Sequence, residues 1–232
     1  MKKIKRLAII PARAGSTRIK NKNLKLFNNK PLIYYSIKSS LESNLFSKIH
    51  VSSNSDKILG YSNKLGLKSD FTRPNYLSGN KIGLAPVIEF VVNKFKKLGK
   101  NFDEVWLIYA TNPFINTNII KECNKKYKKI SNDPKNALMT VTKYNYPINW
   151  AQKLNKKGHL EIIKRKNYNK RSQDFSKIFC DAGMINIYSG KKFLNKRNSV
   201  KYFPYEIPIY KSVDIDNIED FEFAKAMFRI KK

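Results

Sequence analysis

Two groups of residues, near opposite ends of the chain, have types and spacings that could do chemistry. The first is Leu7–Asn23, LAIIPARAGSTRIKNKN. An apolar run stops at Pro11 and gives way to Arg13, Ser16, Thr17, Arg18, Lys20, Lys22 and Asn23 around a single glycine, Gly15. Cations, hydroxyls and backbone N–H groups in one loop suit an anion, and a phosphate chain is the obvious guest. A merely solvated basic loop is the other reading. The second group is Asp214 and Asp216, spaced i, i+2. An extended segment puts both carboxylates on one face. Mg2+ is held by one or two carboxylates plus substrate phosphates, so the pair could hold it. The same acids could simply open the last helix, beside Glu219 and Asp220, where carboxylates favour the N-terminal dipole. The first loop carries neither G-x-x-x-x-G-K-[ST] nor G-x-G-x-x-G, so a P-loop ATPase and a classical dinucleotide binder are unsupported. His50 and His159 are far apart and receive no catalytic role, and no Ser-His-Asp or Cys-His arrangement stands out.

The elements that must position these groups follow from hydrophobic periodicity. Leu7–Ala12 is a continuous apolar run, the pattern of a strand buried on both faces. Pro31–Leu41 reads as a helix with Pro in its first turn. Lys48–Ser53 is a short strand, and Ser55–Leu65 a helix stopping at Gly66. Leu84–Leu98 carries a helical stripe of Val87, Ile88, Val91, Val92 and Phe95 before Gly99. Glu104–Ala110 reads as a central strand, Asn116–Tyr127 as a helix and Ala137–Thr142 as a strand. Asn217–Phe228 is a last helix with Ile218, Phe221, Ala224 and Phe228 on one face. Such alternation predicts a parallel α/β sheet with helices on both sides. Ligands of such sheets bind at the carboxyl ends of the strands. That places the loop after Pro11, and Thr111 and Asn112 after the central strand, where a ligand would pass. Tyr144–Lys177 is polar and basic, carries Gly158, and breaks the rhythm; it reads as an excursion from the sheet.

At 232 residues with 41% hydrophobic content the chain suits one large domain, 1–232. The net charge of +30 raises the question of nucleic acid. Only 8 of the 47 basic residues are Arg, and the Lys residues are scattered rather than gathered on one element with interleaved aromatics. A lysine-rich solvated surface is the better account, and a nucleic-acid partner is not expected. Cys123 and Cys180 make neither a disulfide framework nor a zinc spacing, which fits a reducing cytoplasm. The N-terminal apolar run is interrupted too early for a signal peptide, and no stretch approaches the ~20 apolar residues that span a bilayer.

The order of several segments resembles one family. P-A-R-x-G-S followed by K-N is similar to the start of the sugar nucleotidyltransferases that activate nine-carbon keto acids with CTP, which include the acylneuraminate cytidylyltransferases. IYATNPF, Ile108–Phe114, looks like the pseudaminic acid cytidylyltransferase branch, as does RSQD, Arg171–Asp174, followed by DAG, Asp181–Gly183. VDIDNIEDFEFA, Val213–Ala224, resembles the family's C-terminal metal segment. The resemblance implies a three-layer, Rossmann-like α/β nucleotidyltransferase with a mainly parallel central sheet and a protruding arm, 144–177, used for dimerisation and the sugar site. It implies CTP and a sugar acid as substrates, Mg2+ as cofactor and a homodimer. It assigns catalysis to Arg13, Lys22, Asp214 and Asp216, with the two aspartates on the metal. Substrate contacts fall to Ala12, Gly15, Ser16, Arg18 and Asn23 in the first loop, to Thr111 and Asn112, and to Arg171 and Gln173 on the sugar acid. ARAGSTR also resembles the start of deoxy-manno-octulosonate cytidylyltransferases, the nearest alternative.

Overall fold

A computed structural model describes residues 3–163, 165–194 and 199–230. The first apolar run is strand β1, Arg6–Pro11, and all but its last residue are buried. A two-residue hairpin follows, β2 Leu26–Phe27 and β3 Lys30–Pro31, turned by Asn28 and Asn29 at φ 47 and 66. Pro31 therefore sits on the second strand of a hairpin, opposite Leu26 and just after a primed turn, which needs positive φ at both central residues, and does not start the next helix. Helix α1 runs Ile33–Ser43, and then come β4 Lys48–Ser52, α2 Asp56–Lys64, α3 Leu84–Lys97, β5 Glu104–Ile108, α4 Thr117–Lys128 and β6 Asn136–Lys143. Ser55 and Asn116 cap α2 and α4, accepting from the backbone N–H of Ile58 and Ile119. The excursion from the sheet is a separate hairpin, β7 Gln152–Leu154 and β8 Leu160–Ile162. Two strands that the periodicity left unassigned complete the main sheet: β9 Phe179–Ser189 and β10 Lys201–Glu206. Helix α5, Ile218–Ile230, ends the described chain.

The strand order is β10-β6-β9-β5-β1-β4. β1 pairs in parallel with β4 and β5, β10 in parallel with β6, and β9 runs antiparallel between β5 and β6. Alternate residues of the strands feed two cores. Ala8, Ile10, Trp106 and Ile108 meet α1, α2, α4 and α5 through Ile37, Ile58, Ile120 and Phe221. Leu7, Ile9, Val105 and Leu107 meet α3 through Ile88, Val91 and Phe95. Three layers result, as expected, and the continuous apolar runs are explained by burial on both faces. A buried ion pair, Arg6 Nε to Glu104 Oε2 at 2.8 Å, ties the start of β1 to that of β5, and the Trp106 indole donates to the same carboxylate oxygen at 3.0 Å. Among the described residues no helix is long and apolar enough to cross a membrane.

Candidate active site

β1 has β4 on one side and β5 on the other, so the chain reverses direction across the sheet at β1. A crevice opens there at the carboxyl ends of the strands. Its walls are the loop after β1, with Arg13, Ser16, Arg18, Lys22 and Asn23, and the residues after β5, Tyr109 to Thr111. The loop is held by its surroundings. The Ala12 N–H donates to the Ser52 carbonyl at the end of β4 (2.9 Å), and the Ala14 N–H donates to Asn54 Oδ1 (3.0 Å). The buried Asn23 amide donates to the Arg13 carbonyl at 3.1 Å. Ala12 is buried in the core, and neither it nor Gly15 lines the crevice.

The C-terminal aspartates arrive by a long traverse. After β10 the chain runs back over the strand ends: the Ile207 N–H donates to the Val141 carbonyl (2.7 Å) and the Ile215 N–H to the Thr111 carbonyl (3.3 Å). Ile215 is fully buried; Asp216 after it lines the crevice, and Asp214 before it is half-buried against the Thr111 hydroxyl. This is the alternation that i, i+2 spacing predicts for extended chain. Lys22 Nζ donates to Asp216 Oδ1 at 2.9 Å and to the Ile215 carbonyl at 2.6 Å, and Arg18 Nη2 lies 2.9 Å from Asp216 Oδ2. The cationic loop and the acidic pair, 194 positions apart between Lys22 and Asp216, are in contact. The reading of Asp216 as a helix-opening acid is set aside. Asn217 caps α5, its Oδ1 accepting from the Asp220 N–H at 2.9 Å, while Asp220 accepts from the N–H groups of Asp216 and Asn217.

The two carboxylates have different environments. Burial pushes Asp214 up from the usual carboxylate range, and the nearby charges of Asp216 and Asp181 add to this, against the Thr111 hydroxyl and Lys22. Thr111 Oγ1 donates to Asp214 Oδ1 at 2.5 Å. For Asp216, burial also pushes upward, but the Lys22 hydrogen bond and charge, with Arg18, outweigh it and hold the carboxyl below its usual value. Close packing beneath Asp214 depends on Gly183, whose φ is +57 and which leaves no room for a Cβ.

Arg73 was not singled out by the sequence, yet it lines the crevice. It is 4% exposed; its Nε donates to Ser52 Oγ at 3.1 Å and its guanidinium also to the Ser52 carbonyl. Burial, then the neighbouring Arg13, lowers its pKa to about 10, so it stays charged at neutral pH. Arg13 donates to Asn80 Oδ1 (2.5 Å) and to the Ser78 carbonyl (3.3 Å). Among the described residues neither guanidinium has a carboxylate within ion-pair distance. Two adjacent cations without a counter-charge make a site for an anion. The only sequence signal for Arg73 was the dipeptide Arg73-Pro74 after an aromatic, which has no local period.

Besides Ala12 and Gly15, three expected substrate contacts, Asn112, Arg171 and Gln173, lie outside the crevice lining. Asn112 is fully buried and its amide is committed to the scaffold. Its Nδ2 donates to the carbonyls of Ala182 and Lys211, both at 3.3 Å, and its Oδ1 accepts from the Phe114 N–H at 3.0 Å. It clamps β9 and the C-terminal traverse to the end of β5 and is a positioning residue, because no donor or acceptor is directed at the crevice. Gln173 sits on an exposed turn, Ser172–Asp174, and Arg171 immediately precedes it, past the β7–β8 hairpin and outside the crevice lining. There Arg171, with a side chain 74% exposed, pairs with Asp174 at 3.4 Å. Lys164, part of the basic run ending at Arg171, lies outside the described residues.

The sequence profile described as "Cytidylyltransferase" matches residues 7–231. A pseudaminic acid cytidylyltransferase of Campylobacter jejuni is 34% identical over 229 residues, covering 98% of this chain and 97% of that protein. An N-acylneuraminate cytidylyltransferase of Escherichia coli is 28% identical over 221 residues, 94% of this chain and 51% of its own length. The solved structure of a CMP:2-keto-3-deoxy-manno-octonic acid synthetase complexed with CTP superimposes with a TM-score of 0.71 at 14% identity, covering 98% of this chain and all of that one.

Proposed function

This chain belongs to the cytidylyltransferase family, and on that premise we propose that it joins CTP to a nine-carbon keto sugar acid of the pseudaminic type, giving the CMP-sugar and pyrophosphate. The observation that carries the reading is the meeting of Lys22 with Asp216 and the Ile215 carbonyl at the carboxyl ends of β1 and β5. In this reaction a sugar hydroxyl attacks the α-phosphorus, and the bond to the pyrophosphate oxygen breaks. Charge builds on phosphate oxygens, so positioning and preorganised cations do most of the work.

On this reading Arg13 and Arg73 receive phosphate charge, because they are cationic, adjacent and without carboxylate partners. An ammonium has three N–H donors; two of those on Lys22 are engaged, which leaves one for a phosphate oxygen. Arg18, with a side chain 63% exposed, is free to exchange Asp216 for an incoming phosphate. Among the described residues no group of three or more His, Cys, Asp or Glu gathers as a metal site. The donor set nonetheless fits Mg2+. Asp214 is a half-buried carboxylate whose pKa is raised by burial and then by the charges of Asp216 and Asp181, a position that a cation relieves, and Asp216 follows two residues on; two carboxylates plus phosphates are what Mg2+ uses. Asp214 and Asp216 would hold the ion, with Thr111 orienting Asp214 from behind. When bound, magnesium supplies Lewis-acid stabilisation of phosphate charge.

A homodimer built through the arm and a cytoplasmic location belong to the same proposal. Leu154 and Leu160, 71% and 66% exposed on the β7–β8 hairpin, are apolar surface suited to a second copy. Similarity to the octulosonate enzyme is at fold level, whereas 34% identity over nearly the whole chain supports the pseudaminic branch. The test is to incubate the protein with CTP, Mg2+ and pseudaminic, legionaminic, neuraminic and deoxy-manno-octulosonic acids. Pyrophosphate is measured and the products are weighed. A CMP adduct of pseudaminic acid is expected; no product with any of them would remove the proposal.

A further inference from the structure

Among the described residues β9 is the one strand of the main sheet that runs against its neighbours, so its beginning lies at the carboxyl ends of β5 and β6. Its pairing with β6 slips there. Met139 faces Asn186 but Val141 faces Asp181, which leaves residues 182–185 as a bulge. Bulges beside functional clefts re-aim side chains, and this one brings Asp181 against Tyr109. Asp181 Oδ1 accepts the Gly183 N–H at 2.9 Å, and its Oδ2 accepts the Tyr109 hydroxyl at 3.3 Å. Tyr109 lines the crevice. The carboxylate can only accept, so the phenol directs its own proton to Asp181. Burial first, then Asp181 and Asp214, push the phenol pKa upward, so it stays a donor across the working pH range.

The result is an exposed carboxylate held from two sides, within electrostatic reach of Asp214 and in contact with Tyr109 of the crevice wall. Nothing in the catalytic reading uses it. An ionised carboxylate only accepts hydrogen bonds, and each oxygen retains capacity beyond the single bond it makes here. It repels phosphate, so it is unsuited to the nucleotide's tail. It suits a neutral group rich in O–H and N–H donors. We propose that Asp181 is a specificity-determining residue whose carboxylate accepts a hydrogen bond from a hydroxyl or amide N–H of the sugar acid, with Tyr109 as its positioning residue. This rests on the cytidylyltransferase reading.

The experiment is steady-state pyrophosphate release with a sugar acid that the parent protein turns over, varying CTP and sugar separately. Asp181→Ala removes a charge-assisted hydrogen bond and raises the sugar KM roughly 10- to 100-fold, with the CTP KM within about threefold. Asp181→Asn keeps the shape and one acceptor oxygen, so it raises the sugar KM less. Tyr109→Phe frees the carboxylate and raises the sugar KM a few-fold. If Asp181→Ala does not fold, shown by its thermal melt, Asp181→Asn decides the matter. An unchanged sugar KM, or a CTP KM rising in step with it, overturns the inference while leaving the cytidylyltransferase reading intact. A parent protein inactive on every sugar acid overturns both.

Discussion

Replacing Gly183 with alanine would put a methyl group where Asp214 already stands. The added Cβ would lie 2.7 Å from Asp214 Cβ and 2.9 Å from its Cγ and Oδ2. Carbon atoms in contact prefer about 3.5–4.0 Å, so either Asp214 or the β9 bulge must move by roughly an ångström. The left-handed backbone, φ +57, costs an alanine about 1 kcal/mol, and overpacking of this kind adds about 1–3 kcal/mol. The sum, ~2–4 kcal/mol, corresponds to a drop of roughly 5–15 °C in Tm for a chain of this size. Turnover falls further than stability explains, about 100-fold, because an ångström of misplacement in a catalytic group carries that penalty. Thermal melts and pyrophosphate release at a temperature where both proteins are folded separate the two effects. The Asp214→Gly background supplies the control, because it deletes all three clashing atoms. There Gly183→Ala destabilises by only about 1 kcal/mol, a coupling of about 1–3 kcal/mol between the sites. A single variant that melts with the parent and keeps its turnover, or two changes whose effects simply add, would refute the reasoning.

Three further outcomes are expected. Asp216→Asn removes the partner of Lys22 and Arg18 and lowers turnover at least 100-fold, while the melt moves little, since the ion pairs are partly exposed (45% for the Asp216 side chain) and contribute on the order of 0.5 kcal/mol; wild-type turnover would remove Asp216 from the site. Arg73→Lys keeps the charge but loses the planar fork on Ser52, and the CTP KM rises about tenfold or more; an unchanged CTP KM would make Arg73 purely structural. The ring of His50 is buried between Phe71 and Phe95, with neither ring nitrogen hydrogen-bonded, and burial lowers its pKa to about 4. Lys48 and Arg73 push the same way, and Asp70, 3.9 Å from Nδ1, pushes back. Between pH 6.5 and 4 the unfolded chain takes up a proton that the folded one refuses. The stability due to His50 is therefore full above pH 6.5 and declines as pH falls, by up to ~3 kcal/mol near pH 4. Urea unfolding at pH 7.5 and 4.5 reads this, and His50→Leu should flatten that part of the profile; an equally steep profile in the variant would assign the loss to other groups.

Local patterns carry much of this protein. Continuous apolar runs announced β1, β5 and β6 because both faces of those strands are buried, and the stripe on α3 matches the one helix that covers its face of the sheet. The cluster of cations after Pro11 and the spacing of Asp214 and Asp216 named their own residues, because position in an extended segment sets which way a side chain points. Pro31 misled: proline at a first helical turn and proline just after a tight hairpin turn look alike until Asn28 and Asn29 adopt positive φ. The conformations of residues far away decided the rest. β9, with Asp181 and Gly183 at its start, reaches the site only because it inserts antiparallel between β5 and β6, and its chemistry at the crevice depends on that orientation. Arg73, in the loop between α2 and α3, became a pocket residue by its contact with Ser52 at the end of β4. Asn112, placed at the site by its position after β5, was turned into a clamp by carbonyls from Ala182 and Lys211, and Arg171 was carried away on its own turn. A side chain's direction is encoded by its neighbours along the chain, but what it faces is settled by which strands pack side by side, and that is fixed by burying the two cores as a whole.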